Sequence, residues 1–300
     1  MAAAALIELE GVDGSQWVLS GEGQGEQGVE LGTSPTGIYD APVSTEWVSS
    51  AFQYGATHVG TNWLKRDVVF GVNIFAISSA SWEEVDSAWA QAWDYDADAT
   101  LAITTDDGTR RLRLRMSQQM EHKVKRDPHL NQFSQVSMTC TAGIPWWVED
   151  DITYSAITTT DTRSSGPATP QNPEKTETLW VPVINMTDRP MYVQWVLSAP
   201  GRWTLPDFSW RDDEFRARTV TLPTLSAGQD LSVDTDPMEE LITAADGSSV
   251  WARMGGKQFL HAVPKRTGRT LVPVTVTGTP PGAVVTVRCP QNWSRPWGLH

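Results

Sequence analysis

The stretch that decides the fold runs from Arg66 to Asp96 and reads RDVVFGVNIFAISSASWEEVDSAWAQAWDYD. Its first part, Arg66–Ile77, carries apolar residues on both faces of an extended chain, which predicts a strand that is covered on each side. Its second part begins with Ser81 and Glu84, the spacing of a capping box at the start of a helix. The stretch therefore predicts a buried strand followed by one amphipathic helix.

Tryptophans recur along this predicted helix at a helical spacing. Trp82, Trp89 and Trp93 fall near one stripe together with Val85. Tryptophan fills protein cores and also anchors interfaces between subunits. The stripe favours packing in the core, and an interface with a neighbouring subunit is the alternative for these three residues.

The segment LAITTDDGTRRLRLRM, residues 101–116, predicts a hairpin because Asp107–Gly108 suits a tight turn between two alternating strands. Leu112, Leu114 and Met116 are expected to face inward. The outward residues are then Arg111, Arg113 and Arg115. A solvated strand face is the simpler interpretation of these arginines, and pairing with acids of a neighbouring subunit is the alternative.

The second half of the chain differs from the first in composition and in its predicted elements. Residues 155–177 are rich in Ser, Thr, Pro and Gly and predict a linker or long loop between a domain at 1–154 and a domain at 178–300. Nine short strand candidates follow between Leu179 and Arg288, among them Ser249–Met254. Their spacing is typical of an all-β sandwich.

Charge is concentrated in the first half. The 300-residue chain has a formal net charge of −13, and residues 1–154 hold 22 acidic against 9 basic side chains. A surface of this sign repels phosphate and disfavours nucleic-acid binding through the backbone. Within it, the acidic glycine-rich segment Gly21–Gly28 predicts a mobile loop.

Few sequence features point to catalysis or to a bound group. The two cysteines, Cys140 and Cys289, lie in strand-like contexts and are expected to be buried thiols. No two histidines have the spacing of a helical zinc pair, and no phosphate loop or esterase motif occurs. No apolar run is long enough for a membrane helix. We expect no catalytic residue, no metal, no cofactor and no membrane insertion.

The acidic stretch SVDTDPMEE, Ser232–Glu240, has two functional interpretations, a calcium loop and a catalytic carboxylate pair. Counted from Asp234, the ligand positions of a calcium loop hold Met238 and Ala245 where oxygen ligands are needed. A solvated corner after a strand that ends at Asp234 is the better interpretation.

Fifteen tryptophans are an unusual number for 300 residues. Exposed tryptophans stack on sugar rings in carbohydrate-binding sites, and Trp203 and Trp210 lie in the polar stretch GRWTLPDFSWRDDEF. The two residues are candidates for a peripheral binding surface, with core packing as the alternative.

The order of these features resembles the distal tail protein family of long-tailed phages. The sequence is most similar in character to the minor tail proteins of phages that infect actinobacteria. The segments that carry the resemblance are RDVVFGVNIF, DDGTRRLRLRM, WVPVINMTDRPMYVQWVL and LSVDTDPMEELITAADGSSVW. The resemblance implies a mainly β protein. Its N-terminal domain is expected to be a tail-tube-like α+β domain, and its C-terminal domain a galectin-like β-sandwich.

The resemblance also implies a function without enzymatic activity. The chain is expected to form a homo-oligomeric ring, a hexamer in that family, which joins the tail tube to the tail tip and contacts the tail tube protein, the tape measure protein and other tail-tip proteins. The expected location is the virion tail tip, after assembly in the host cytoplasm. An acidic lumen would let DNA pass without sticking. A carbohydrate-binding module that contacts the host envelope is the second interpretation.

Overall fold

The computed structural model describes residues 5–32, 35–164, 175–210, 214–239 and 242–300. The chain divides into two compact units. Unit 1 comprises residues 1–149 and 293–299, and unit 2 comprises residues 150–292 with His300. This division differs from the expected domains of 1–154 and 178–300, because the segment 293–299 returns to unit 1.

Unit 1 is built from short antiparallel strands and one longer helix. Its elements are, in chain order, β1 (Leu6–Glu10), β2 (Gln16–Ser20), β3 (Val29–Leu31), β4 (Val43–Val48), β5 (Thr57–Trp63), β6 (Arg66–Phe75), α1 (Trp82–Gln91), β7 (Ala99–Thr105), β8 (Gly108–Met116), β9 (Glu121–His122), α2 (Pro128–Asn131), β10 (Phe133–Ala142) and the start of β11 (Trp147–Ile157).

Two groups of strands form the framework of unit 1. One has the order β2–β1–β7–β8, and the other has the order β3–β6–β10, with β9 beside β10. The long pair β6–β10 runs in register from Phe75 opposite Phe133 to Arg66 opposite Ala142. β10 also pairs with β8, where Cys140 lies opposite Met116. Among the strands of the described residues, β4 and β5 pair only with each other.

The predicted strand and helix are both present. Alternate residues of β6, from Val68 to Ile74, are buried. Helix α1 begins after Ser81, whose side chain and Glu84 form the expected capping box. The hairpin β7–β8 is confirmed as well, although Thr105 pairs with Gly108, so Asp106 and Asp107 occupy the turn rather than Asp107–Gly108.

The core of unit 1 is aromatic. Trp89 packs edge-on against Trp17 and Trp93, with ring centroids 5.3 and 5.6 Å apart. Trp147 and Trp293 are buried in the same cluster. Large aromatic side chains bury much apolar area per residue, so a small unit with many tryptophans gains a substantial core.

Unit 2 continues from β11 with short strands. Its elements are β12 (Thr176–Asn185), β13 (Gln194–Leu197), β14 (Arg202–Pro206), β15 (Thr219–Thr221), β16 (Leu231–Asp234), β17 (Ile242–Ala244), a 3₁₀ turn at Trp251–Met254, β18 (Thr267–Thr277) and β19 (Val284–Trp293). One sheet has the order β12–β18–β14–β15, and β17–β16–β13–β19–β11 form the other.

The expected sandwich is confirmed. Inward residues of both sheets, such as Val181, Trp195, Val274 and Val287, share one buried cluster. The prediction of a strand at Ser249–Met254 is wrong, since a 3₁₀ turn that ends at Gly255 with a positive φ of 61° takes its place. Strand β16 ends at Asp234, as expected.

The predicted linker is structured where it is described. Residues 165–174 lie outside the described residues. On the N-terminal side, Thr158 and Thr162 are buried. The hydroxyl of Thr162 donates to the carbonyl of Thr279 at 3.1 Å, and the amide of Ala283 donates to the hydroxyl of Thr158 at 2.9 Å. These residues belong to unit 2 rather than to a spacer.

Candidate assembly surfaces

Three surfaces or clusters of unit 1 stand out: an outward arginine row, an exposed hairpin and two buried arginines. The arginine row follows from the alternation of β8. Leu112, Leu114 and Met116 are buried, and the outward residues Arg111, Arg113 and Arg115 are exposed, as predicted.

These arginines line a groove of about 920 Å³. Apolar side chains of Ile144, Trp146 and Val148 line the same groove, and Val148 on β11 pairs with Arg111 on β8. Arg115 Nε donates to Asp98 Oδ1 at 2.8 Å, and no carboxylate among the described residues pairs with Arg113. An exposed ion pair contributes little to stability, so the pair of Arg115 with Asp98 adds little to the stability of the fold. We call this surface, Arg111, Arg113, Arg115, Ile144, Trp146 and Val148, the arginine groove.

The second surface is the hairpin of β4 and β5, residues 43–64, which we call the arm. All residues of its two strands except Gly60 are exposed. Trp47 is 58% exposed, and Phe52 and Tyr54 between the strands are fully exposed. Such a concentration of exposed apolar side chains marks an interaction site more often than an ordinary surface.

The third feature is Arg66, which is fully buried at the start of β6. Its guanidinium donates to the carbonyl oxygens of Ile38, Tyr39 and Gly37 at 2.7 to 3.0 Å, to Pro145 at 2.9 Å and to Ser294 at 2.8 Å. Burial lowers the pKa of Arg66 to about 10, and the nearby charge of Asp40 opposes that shift. Arg66 is therefore charged at neutral pH and ties three separate segments together.

Arg110 is the second buried arginine, and it also binds the C-terminal segment 293–299 through backbone carbonyls. Its Nη1 and Nη2 donate to the carbonyls of Arg295 and Gly298, both at 3.0 Å. Its guanidinium lies 3.8 Å above the centre of the Trp293 ring, whose Nε1 donates to Glu149 Oε2 at 2.8 Å. These contacts explain why residues 293–299 belong to unit 1.

Sequence analysis missed both buried arginines, although a signal was present. Arg66 has the same parity in β6 as Val68, and Arg110 has the same parity in β8 as Leu112. Because side chains alternate between the faces of a strand, both positions pointed inward. A buried arginine at an inward position requires several acceptors, which here are backbone carbonyls.

The tryptophans of helix α1 require a correction. Trp89 is completely buried, and Trp82 and Trp93 are 7% and 6% exposed. Trp82 Nε1 donates to Ser134 Oγ at 2.9 Å across to β10. They pack in the core of unit 1, so the alternative interface with a neighbouring subunit is wrong for these three residues.

The proposed peripheral surface of unit 2 also changes. Trp203 lies on β14, a strand that the sequence analysis did not predict, and its side chain is completely buried. Its Nε1 donates to the carbonyl of Ser198 at 3.0 Å. Trp210 is partly buried and borders a cavity of about 20 Å³, which has room for about one water molecule but not for a sugar ring. Trp203 is therefore a core residue, and the pair does not form a joint surface.

The remaining predicted features have simple structural roles. Segment Gly21–Gly28 forms consecutive hydrogen-bonded turns, and Gln27 accepts from the amide of Val18 at 3.0 Å. Asp234 accepts from Gln194 and from the amide of Asp236, at 2.7 and 2.9 Å, which fits the interpretation as a corner. Cys140 and Cys289 are both buried, as expected, and burial raises the pKa of the Cys140 thiol to about 12.

Solved structures with the same fold exist. The SPP1 Dit (gp 19.1) protein, described as a paradigm of the hub adsorption apparatus in phages that infect Gram-positive bacteria, is similar over 96% of this chain and 99% of its own, with a TM-score of 0.60 and 10% identity. A chain of the phage P2 baseplate in its activated conformation with Ca is similar over 96% of this chain and 98% of its own, with a TM-score of 0.50 and 10% identity. The fold is thus that of a phage Dit protein.

Sequence comparison identifies nearer relatives. No protein-family profile matches the chain. It is 35% identical to the minor tail protein Gp27 of Mycobacterium phage D29, and 35% identical to Gp27 of Mycobacterium phage L5. Both similarities cover 98% of this chain and 98% of the relative. A similarity of this length and level shows that the chain belongs to the family of mycobacteriophage minor tail proteins represented by Gp27.

Proposed function

We propose that this chain is a structural protein of a phage tail, which forms a homo-oligomeric ring at the distal end of the tail tube. The observation that carries the proposal is the similarity to the two Gp27 minor tail proteins over nearly the entire chain. The Dit fold supports it, because the SPP1 Dit protein, described as a paradigm of the hub adsorption apparatus, has a similar fold over 96% of this chain. Six copies are the number that the resemblance to distal tail proteins implies.

The ring would join the tail tube to the tail tip and would contact the tail tube protein, the tape measure protein and other tail-tip proteins. It would be located in the virion, after assembly in the host cytoplasm. The proposal includes no enzymatic activity.

The charge of the first half fits a ring that DNA crosses. Residues 1–154 hold 22 acidic and 9 basic side chains. Acids that line the lumen would repel DNA phosphates, so DNA would pass without binding to the wall. The exposed acids Glu22 and Glu26 in the turns of Gly21–Gly28 are candidates for this lining.

The second interpretation, a carbohydrate-binding module, loses its main support. It depended on Trp203 and Trp210 as a stacking surface, and Trp203 is a core residue. We therefore keep the tail protein as the proposed function.

The test is the mass of the purified protein and its place in the particle. Native mass spectrometry should show a discrete assembly of six 33.1 kDa chains, and negative-stain images should show rings. Antibody labelling of phage particles should mark the tail tip. A chain that remains monomeric at all concentrations and is absent from tail tips would overturn the proposal.

A further inference from the structure

We propose that the arm of one copy packs into the arginine groove of a second copy of this chain. The inference rests on the proposed function, because it names the contact that would build the ring. Two surfaces of unit 1 carry it, and they are different in shape and chemistry.

The arm needs a partner to be stable. It is a two-stranded sheet that runs from Val43 opposite Trp63 to Val48 opposite Thr57, and no other strand in the described part of the chain pairs with it. An isolated hairpin is marginally stable in water, since it buries too little apolar surface. The tip adds to this cost, because Phe52 has a φ of 69°, a strained backbone conformation for a bulky residue. A strained aromatic residue that is fully exposed points to a binding role.

The arginine groove can cover the exposed apolar side chains of the arm. Ile144 is 67% exposed and Val148 is 41% exposed, so this part of the groove can cover apolar side chains. The same groove is lined by Arg113 and by Arg111 and Arg115 on either side of it on β8. Guanidinium groups bind favourably over aromatic faces, and the arm carries aromatic side chains at Trp47, Phe52 and Tyr54. The groove and the arm are therefore chemically complementary.

Geometry favours a second copy over the same copy. The base of the arm lies at the groove, where the Trp63 and Trp146 rings meet with their centroids 5.0 Å apart. A strand rises about 3.3 Å per residue, so β5 carries the tip roughly 20 Å from its base. Phe52 and Tyr54 at the tip are fully exposed, so the tip does not occupy the groove of its own copy and is available to the groove of another.

The symmetry of a ring also favours a contact between two copies. A contact between an arm and a groove joins two different surfaces, and each copy offers one of each. Such a head-to-tail contact repeats from copy to copy and closes into a ring when the rotation allows it. A two-fold dimer would instead use the same surface on both partners.

The experiment combines cross-linking with variants of the full chain. A photoreactive phenylalanine analogue at Phe52 is introduced, and copies with normal and heavy nitrogen are mixed before irradiation. We expect mixed-isotope cross-links from position 52 to peptides that contain residues 111–116 or 143–148. Irradiation of phage particles gives the same measurement in the assembled tail.

Variants test the energetics of the contact. The double variant Phe52→Ser/Tyr54→Ser and the single variant Arg113→Glu should each weaken self-association at least 10-fold in sedimentation experiments. All three residues are exposed, so the melting temperature of the monomer should change little. The matched control is Tyr95→Ser, which changes an exposed aromatic residue of unit 1 outside the arm and the groove.

The outcomes separate this inference from the proposed function. A ring that forms normally in both variants, or cross-links that join position 52 to other surfaces or only within one copy, would overturn the arm contact and leave the tail function standing. Cross-links to a different tail protein would show that the arm binds another partner and would also overturn the inference. A strictly monomeric chain absent from tail tips would overturn both.

Discussion

At the scale of single residues, the most informative side chains are the two buried arginines. Arg66 and Arg110 lie on inward positions of strands, and together they donate hydrogen bonds to three carbonyl groups within the segment 293–299. Buried charges are tolerated only when their donors are satisfied. Here backbone carbonyls supply most of the acceptors, and Arg110 in addition forms an ion pair with Glu149, with Nε 3.8 Å from Oε2.

This arrangement predicts a large effect of Arg66→Ala. The substitution removes the guanidinium donor from the carbonyls of Gly37, Tyr39 and Pro145, so we expect the free energy of unfolding of unit 1 to fall by at least about 3 kcal/mol. Arg66→Lys should not restore it, since an ammonium group cannot reproduce the fork of donors.

Chemical denaturation followed by near-ultraviolet circular dichroism measures this loss. The control is Arg126→Ala, an exposed arginine of the same unit outside the arm and the arginine groove, which should change the free energy of unfolding by less than about 0.5 kcal/mol. Equal effects of the two substitutions would contradict the role assigned to Arg66.

At the scale of elements, helix α1 shows how local and tertiary signals agree. Ser81 and Glu84 define its start, and Trp82, Val85 and Trp89 form the face that packs in the core. The arm shows the opposite case, because β4 and β5 have strand sequences but no buried face within the described part of the chain. Helix α1 is complete within one copy, whereas the arm calls for a partner.

For α1 we predict that Ser81→Ala destabilises unit 1 by about 1 kcal/mol, the usual cost of an N-cap. The substitution removes the hydroxyl that accepts from the amide of Glu84 and donates to its carboxylate at 2.9 Å. The melting temperature, compared with that of Ser79→Ala at an exposed position two residues earlier, measures the effect. Identical melting temperatures would show that the cap is dispensable.

At the scale of the whole molecule, the chain does not divide into consecutive domains. It enters unit 2 within β11 and returns to unit 1 within β19. The expected boundaries assign residues 178–300 to one domain, because the composition of residues 155–177 is that of a linker and local composition does not reveal that a later segment returns to unit 1. Trp293 instead contributes to the core that residues near the start of the chain form.

The corresponding prediction concerns Trp293→Ala. Loss of a fully buried tryptophan costs about 3 to 5 kcal/mol, and the loss should fall on unit 1 although the residue follows unit 2 in the sequence. Hydrogen exchange should accelerate in β6 and β8, with little change in β12 and β18.

Trp180→Ala is the matched control, since Trp180 lies on β12 and is 59% exposed. It should leave exchange in β6 and β8 unchanged. Faster exchange in β12 and β18 alone after Trp293→Ala would contradict the placement of this residue in unit 1.

The sequence alone determined what depends on neighbouring residues and on periodicity. The strand at Arg66–Ile77, the capped helix, the alternation of β8 and the sandwich of the second half follow from local patterns, whose physical basis is the burial of one face. The outward arginines Arg111, Arg113 and Arg115 could be predicted on the same basis. The resemblance to distal tail proteins was also carried by the order of these elements.

Only the tertiary structure decided which surfaces are covered. Trp82, Trp89, Trp93 and Trp203 could serve a core or an interface by their chemistry alone, and the fold buries all four. The acceptors of Arg66 and Arg110 lie as far as 228 residues away in the sequence, so no local pattern could reveal them. Burial and long-range hydrogen bonds depend on which segments meet in space, and that information resides in the packing of the whole chain.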